Sequence, residues 1–260
     1  MPNRTIYYHY TTMTGCFGII SSRRIWFTDF RFLNDKQELK QGLSALLAFL
    51  PEKKRISFER AFLWHSMGTH HCVLSLSKSP KILSQWRAYA ADGSGVAIGF
   101  DASFLKYAKI NLVECQYENH ELYAHELATK YEYFIDSVHH ARLDNPGENT
   151  FMKWIEEHAA DFTSIVEDLI ALKNPAFVEE QEVRAVWSLS HGSVQIRLSS
   201  QLMIPYTEAK FWEDDEAASS MHVAIPEIWL GPKCNELNGT ALLAANCGTF
   251  LVQRYDCGYV

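Results

Sequence analysis

The chain has 260 residues, 47% of them hydrophobic and 21% charged, and 31 acidic side chains outnumber 24 basic ones to give a net charge of −7. That length can bury a large core without a metal or disulfide staple. The acidic balance disfavours a broad basic face gripping a phosphate backbone, although it leaves room for a local basic cleft. The six cysteines (Cys16, Cys72, Cys115, Cys234, Cys247 and Cys257) show no Cys-x-x-Cys pair and no Cys/His ligand spacing, so no metal is expected. The N-terminus lacks the apolar run of a signal peptide, and no apolar stretch is long enough to span a membrane. The expectation is a reduced, cytoplasmic protein with free thiols and no membrane partner.

Ile6-Tyr7-Tyr8-His9-Tyr10 reads as a first strand, and Thr11 or Thr12 as the cap of a helix over Met13–Ser22. A second strand follows at 24–28. Asn34 or Asp35 can cap a helix whose apolar positions Leu39, Leu43, Leu46, Leu47 and Leu50 follow helical spacing, with Glu38 in its first turn and Pro51 closing it. A helix is expected near 57–67 and a strand at 71–77. Leu83–Tyr89 makes one or two helical turns, and Ala91-Asp92-Gly93-Ser94-Gly95 is a turn before a buried strand at 96–100. Residues 110–117 read as a strand. Two long helices, about 121–140 and 150–172, are separated by Asp144-Asn145-Pro146-Gly147 and form a helical block that interrupts the strand signals at about 119–172. Strand patterns resume at 177–189, 193–197, 201–204, 207–212 and 225–230. A short helix at 237–245 and a strand at 249–253 end the chain. Glu213-Asp214-Asp215-Glu216 is a solvated acidic loop. The pattern predicts one α+β domain with a mainly antiparallel β core flanked by helices.

Read as a strand, 177–187 puts Glu180, Glu182 and Arg184 on one face and Val183, Ala185 and Trp187 on the other. This is either a solvated charge row or a pair of carboxylates held beside a guanidinium for chemistry. His9 is either a structural strand histidine or a polar ligand group at a strand end. Ser75 and Ser77 aim two hydroxyls the same way. Trp86 and Tyr89 share a helical face as core or as a stacking platform, and Arg87 can meet a phosphate. The His70-His71 and His139-His140 pairs point in different directions and chelate poorly. No glycine-rich phosphate loop and no nucleophile elbow occurs.

Several motifs occur in a set order: Tyr8-His9-Tyr10-Thr11, Trp26-Phe27-Thr28-Asp29, Leu33-Asn34-Asp35-x-x-Glu38, Leu74-Ser75-Leu76-Ser77, Ser84-Gln85-Trp86-Arg87-Ala88-Tyr89, Gly95–Asp101, Lys173-Asn174-Pro175-Ala176-Phe177, Glu180-x-Glu182-x-Arg184 and Ile228-x-Leu230-Gly231-Pro232-Lys233. Along nearly its whole length the chain resembles the bacterial family called domain of unknown function 2971. A weaker resemblance is to the ADP-ribosyltransferase fold, in which a split β core clamps NAD. That resemblance implies that His9 holds the adenosine ribose with Thr11 beside it. Ser75 and Ser77, Trp86 or Tyr89 would fill the middle motif, with Arg87 nearby. Glu182 would be the catalytic glutamate, Glu180 its acidic partner, and Arg184 would keep the acids ionised or pair with phosphate. It implies a single domain over 1–260 that uses NAD as substrate and transfers ADP-ribose to a protein or nucleic-acid acceptor, as a bacterial toxin or phage-defence effector. The alternatives are a non-catalytic nucleotide-binding or interaction module, and a hydrolase or nuclease whose Glu180, Glu182, Asp35 and Glu38 hold a divalent cation.

Overall fold

The structure is a computed structural model and describes residues 4–33, 36–145, 147–199, 201–210, 224–245 and 250–259. The expected cap at Asn34 or Asp35, the acidic loop 213–216 and the start of the last strand at Thr249 lie outside the described residues, as does the side chain of Glu38.

Strand β3 (Thr69–Ser77) organises the sheet. Along one edge it pairs over its whole length with β6 (Glu182–Ser190), from Thr69 opposite Ser190 to Ser77 opposite Glu182. Its other edge is shared by two strands. β2 (Arg24–Asp29) pairs at Val73 and Cys72, whereas β1 (Ile6–Thr11) pairs only at Ser77, opposite Tyr8. Leu74, Ser75 and Leu76 therefore have no described strand partner on that edge, and the sheet splits into two leaves. One leaf runs from β1 through β4 (Val96–Asp101) to β9 (Glu227–Leu230) and β10 (Leu251–Arg254). The other runs from β2 through β8 (Leu202–Lys210) to β7 (Gln195–Ser199). β5 (Asn111–Glu114) pairs with the outer edge of β6. Every described pair is antiparallel except β9 with β10. The expected mainly antiparallel, split α+β sheet is what the chain forms.

Side chains alternate across this sheet as period two requires. Leu74, Leu76, Val183 and Ala185 enter one core together with Cys16 of α1 (Met13–Ser22), Leu105 of α5 (Ala102–Tyr107) and Leu242 of α10 (Leu237–Ala245). Val73 and Val186 enter a second core built from α2 (Lys36–Ala48), α3 (Glu52–Gly68), α6 (His120–Lys130), α7 (Glu132–Asp144), α8 (Glu148–Glu157) and α9 (Ala159–Leu169). Each fully buried Leu, Ile or Phe contributes about 1.5–3 kcal/mol. A small third cluster joins Tyr8, Tyr10 and Ala97 to Trp86 of α4 (Leu83–Tyr89).

The two long helices expected in the middle are four. Each breaks where the backbone leaves helical angles, at Tyr131 and His158. The His158 imidazole reaches back to the Trp154 carbonyl at 2.8 Å and stacks on the Trp154 ring, competing with the regular ladder. The strands expected at 201–204 and 207–212 are the single strand β8. The expected strand from Phe177 is also corrected. Pro175–Glu180 is a 3-10 helix, with Asn174 capping it by accepting from the Ala176 N–H at 2.9 Å. Gln181 then turns in the left-handed region at φ 46°, and β6 begins only at Glu182.

Candidate functional site

The opening between β1 and β3 becomes a cleft of about 430 Å³. Four separated segments supply its polar lining: His9 from β1, Ser75 from β3, Gln85 and Tyr89 from α4, and Lys173, Glu180 and Glu182 from the stretch leading into β6. Where a ladder partner for Ser75 is missing, a side chain substitutes. The Ser75 carbonyl lies 3.1 Å from His9 Nδ1. A carbonyl can only accept, so that nitrogen carries the proton and Nε2 keeps its lone pair. Burial holds the His9 pKa below its usual value, with the Ser75 carbonyl partly offsetting it, so the ring is neutral near pH 7.

Glu182 is 3% exposed. Its backbone N–H donates to Tyr117 Oη at 2.7 Å, and its carboxylate accepts from Arg184 Nε and Nη2 at 3.3 Å, from Lys173 and from the Ser75 hydroxyl. Burial alone would push this carboxyl up. Arg184 first and Lys173 next outweigh it, and the pKa is about 2. The group is thus a permanent anion, unsuited to shuttling protons near neutrality and suited to fixed electrostatic stabilisation. Lys173 also holds Glu180, so one ammonium bridges both acids. Burial disfavours its charge, but Glu182 and Glu180 raise its pKa well beyond the ordinary lysine value. Glu180 in turn accepts from Tyr89 Oη at 3.4 Å, and its carbonyl accepts from the Ser77 hydroxyl at 2.8 Å.

Of the residues singled out in the sequence, His9, Ser75, Tyr89, Glu180 and Glu182 meet in the cleft. The others do not line it. Arg184 is completely buried behind Glu182, where it donates to the Ile170 carbonyl and lies over the Phe30 ring, so it cannot reach a ligand phosphate. Trp86 is core. Its Nε1 donates to the Pro80 carbonyl at 2.9 Å, and its ring meets Tyr10 edge-on. Ser77 holds the Glu180 backbone. Thr11 packs its hydroxyl against Gly15 in α1, where a Cβ would lie 2.3 Å from it. Arg87 is exposed and lies over the Tyr259 ring. Tyr89, 46% exposed, is left as the aromatic at the mouth.

Lys173 and Gln85 were missed as site residues. Lys173 follows an apolar helix end and has the pattern of a solvated lysine. Its proper signal is two acids, Glu180 and Glu182, arriving within nine residues. The cation position between Glu180 and Glu182 is filled by the Lys173 ammonium. Of the other proposed ligands, Asp35 and the Glu38 side chain lie outside the described residues, and no described group of three or more His, Cys, Asp or Glu is placed to hold a metal. Cys115 Sγ lies 3.7 Å from Glu182, and burial followed by that carboxylate pushes its thiol up, away from reactivity. Five described cysteines are free, and no described helix is long and apolar enough to cross a membrane.

A family model described as a protein of unknown function (DUF2971) matches residues 85–185. That span holds Gln85, Tyr89, Lys173, Glu180, Glu182 and Arg184, and leaves out His9 and Ser75. No curated protein and no solved structure matches the chain.

Proposed function

We propose that the protein is an NAD-using ADP-ribosyltransferase-like enzyme acting on a protein or nucleic-acid acceptor. One observation carries this reading: His9, Ser75, Tyr89 and Glu182, spread over more than 170 residues of sequence, line one cleft where β1 parts from β3. Cleaving the nicotinamide–ribose bond sends the bonding pair to the nicotinamide nitrogen and leaves positive charge on the ribose. Glu182, ionised and held in place, stabilises that charge. His9 Nε2 accepts a hydrogen bond from a ribose hydroxyl, and the Tyr89 ring covers the nicotinamide at the mouth. Arg184 and Lys173 keep Glu182 in one position. Free buried thiols suit a reducing compartment, and the proposed setting is the bacterial cytoplasm, in a toxin or phage-defence effector.

Labelled NAD incubated with candidate acceptors should give transfer by the wild type. In Glu182→Gln transfer should fall by about 100- to 1,000-fold, with melting temperature and NAD affinity recorded alongside. Equal transfer by a folded variant removes Glu182 from catalysis. A second reading draws on the neutralisation of Glu182 by Lys173 and Arg184: the cleft binds a nucleotide without turning it over. It predicts a higher melting temperature with NAD and no release of nicotinamide.

A further inference from the structure

Tyr8, which lines the cleft, donates from its hydroxyl to Glu227 Oε1 at 2.7 Å. The same carboxylate accepts from Trp229 Nε1 at 2.8 Å and from the Gln253 amide at 2.8 Å. Trp229 and Gln253 do not line the cleft. They line a second, open pocket of about 810 Å³ with Lys81, Tyr255 and Asp256. Register explains the arrangement. Tyr8 lies opposite Gly99, which lies opposite Glu227, and Tyr10, Ala97, Trp229 and Gln253 form the adjoining row on the same face. A Cβ on Gly99 would lie 2.8 Å from an Ile6 methyl and 3.2 Å from Glu227, so a larger residue there would press on the strands either side of β4. The half-buried Glu227 thus fixes one wall of each pocket.

The second pocket has the parts that recognise a nucleotide. The Trp229 ring is locked in plane by its bond to Glu227 and offers a stacking face, which accepts any base. The Lys81 ammonium lies over that ring, 5.1 Å from its centre, and pairs with no carboxylate among the described residues, so a base stacking there displaces it toward the phosphate. It is a cation available to a phosphate. Asp256 offers an acceptor for an exocyclic amine. We propose that this pocket binds a 5′-phosphorylated nucleoside, its base on Trp229 and its phosphate at Lys81. The ligand is the adenylate half of the dinucleotide or a separate nucleotide acceptor. The first source rests on the NAD reading of the cleft, whereas the pocket itself does not.

Adenosine 5′-phosphate and NAD should be titrated calorimetrically, singly and together, against the wild type, Lys81→Glu and Trp229→Ala. Adenosine 5′-phosphate should bind the wild type and weaken at least about tenfold in Lys81→Glu, whose exposed position does not threaten folding. Competition with NAD identifies the adenylate half, and simultaneous binding identifies a nucleotide acceptor. Either supports the pocket. Absence of binding by the wild type, or unchanged binding in Lys81→Glu, overturns it. Adenosine 5′-phosphate binding without NAD binding keeps the pocket and sinks the transferase reading of the cleft instead.

Discussion

The two ends of the β3–β6 pair bury polar side chains in opposite ways. At the Ser77–Glu182 end, two carboxylates and two cations neutralise one another beside an open cleft. At the Thr69–Ser190 end the chain buries histidines. His71 Nδ1 lies 2.9 Å from the Ser188 hydroxyl, which donates to Glu167, while Nε2 of both His71 and His65 is buried with no hydrogen-bond partner among the described residues. Burial drives the pKa of His65 down to about 4 and that of His71 to about 3, the latter helped by neighbouring His65. One end is therefore built on ionised groups that compensate one another, whereas the other buries two neutral, incompletely satisfied histidines beside the Asp29–Arg31–His70 group. A compensated network tolerates acid but not the loss of a member. A neutral one tolerates loss but not acid.

The largest expected effect comes from removing a member at the charged end. Arg184→Met leaves Glu182 buried with half its compensation gone and should cost about 3–5 kcal/mol in chemical denaturation. A cost below about 1 kcal/mol would show that the four charges are not coupled. Acid sharpens the same contrast. The unfolded chain protonates its histidines near 6.5, so the contribution of neutral His65 and His71 is complete above that pH. It falls by about 1.4 kcal/mol per pH unit per histidine as the pH drops toward 4. Glu182, whose pKa the fold lowers from the ordinary 4.5 to about 2, keeps its contribution until the pH falls below about 4.5. His65→Leu should flatten the upper limb of the stability curve, and an unchanged slope would assign that limb elsewhere. Ser188→Ala, which strips a partner from both His71 and Glu167, should cost about 1–2 kcal/mol. The smallest effect on stability belongs to Tyr89→Phe, about 0.5 kcal/mol or less for one long, partly exposed hydrogen bond. If Tyr89 acts through its ring, this variant keeps transferase activity and Tyr89→Leu loses it. Loss in both would place the function in the hydroxyl.

Period-two alternation made Glu182, Arg184, Val183 and Ala185 legible in the sequence, because β6 is a regular strand buried on both sides. The same alternation misled one step upstream. Glu180 shares the parity of Glu182 but reaches the site from a 3-10 helix that Asn174 caps and Pro175 opens. Trp86 and Tyr89 look equivalent on a helix, and only packing against Tyr10 and Ala97 makes one core and the other rim. Lys173 carries no periodic signal as a site residue, because its role depends on contact with Glu180 and Glu182, and Glu182 is brought round by the left-handed turn at Gln181.

The narrow junction between β1 and β3 has a dynamic consequence. The leaf of β1, β4, β9 and β10 meets β3 at one residue pair, while β6 holds β3 over nine opposed pairs. Protection against hydrogen exchange should follow that asymmetry. Amides of β3 that donate to β6 would exchange only on global unfolding. Those at the parting would exchange by a hinge-like opening of the leaf, at a rate that an occupant of the cleft would slow.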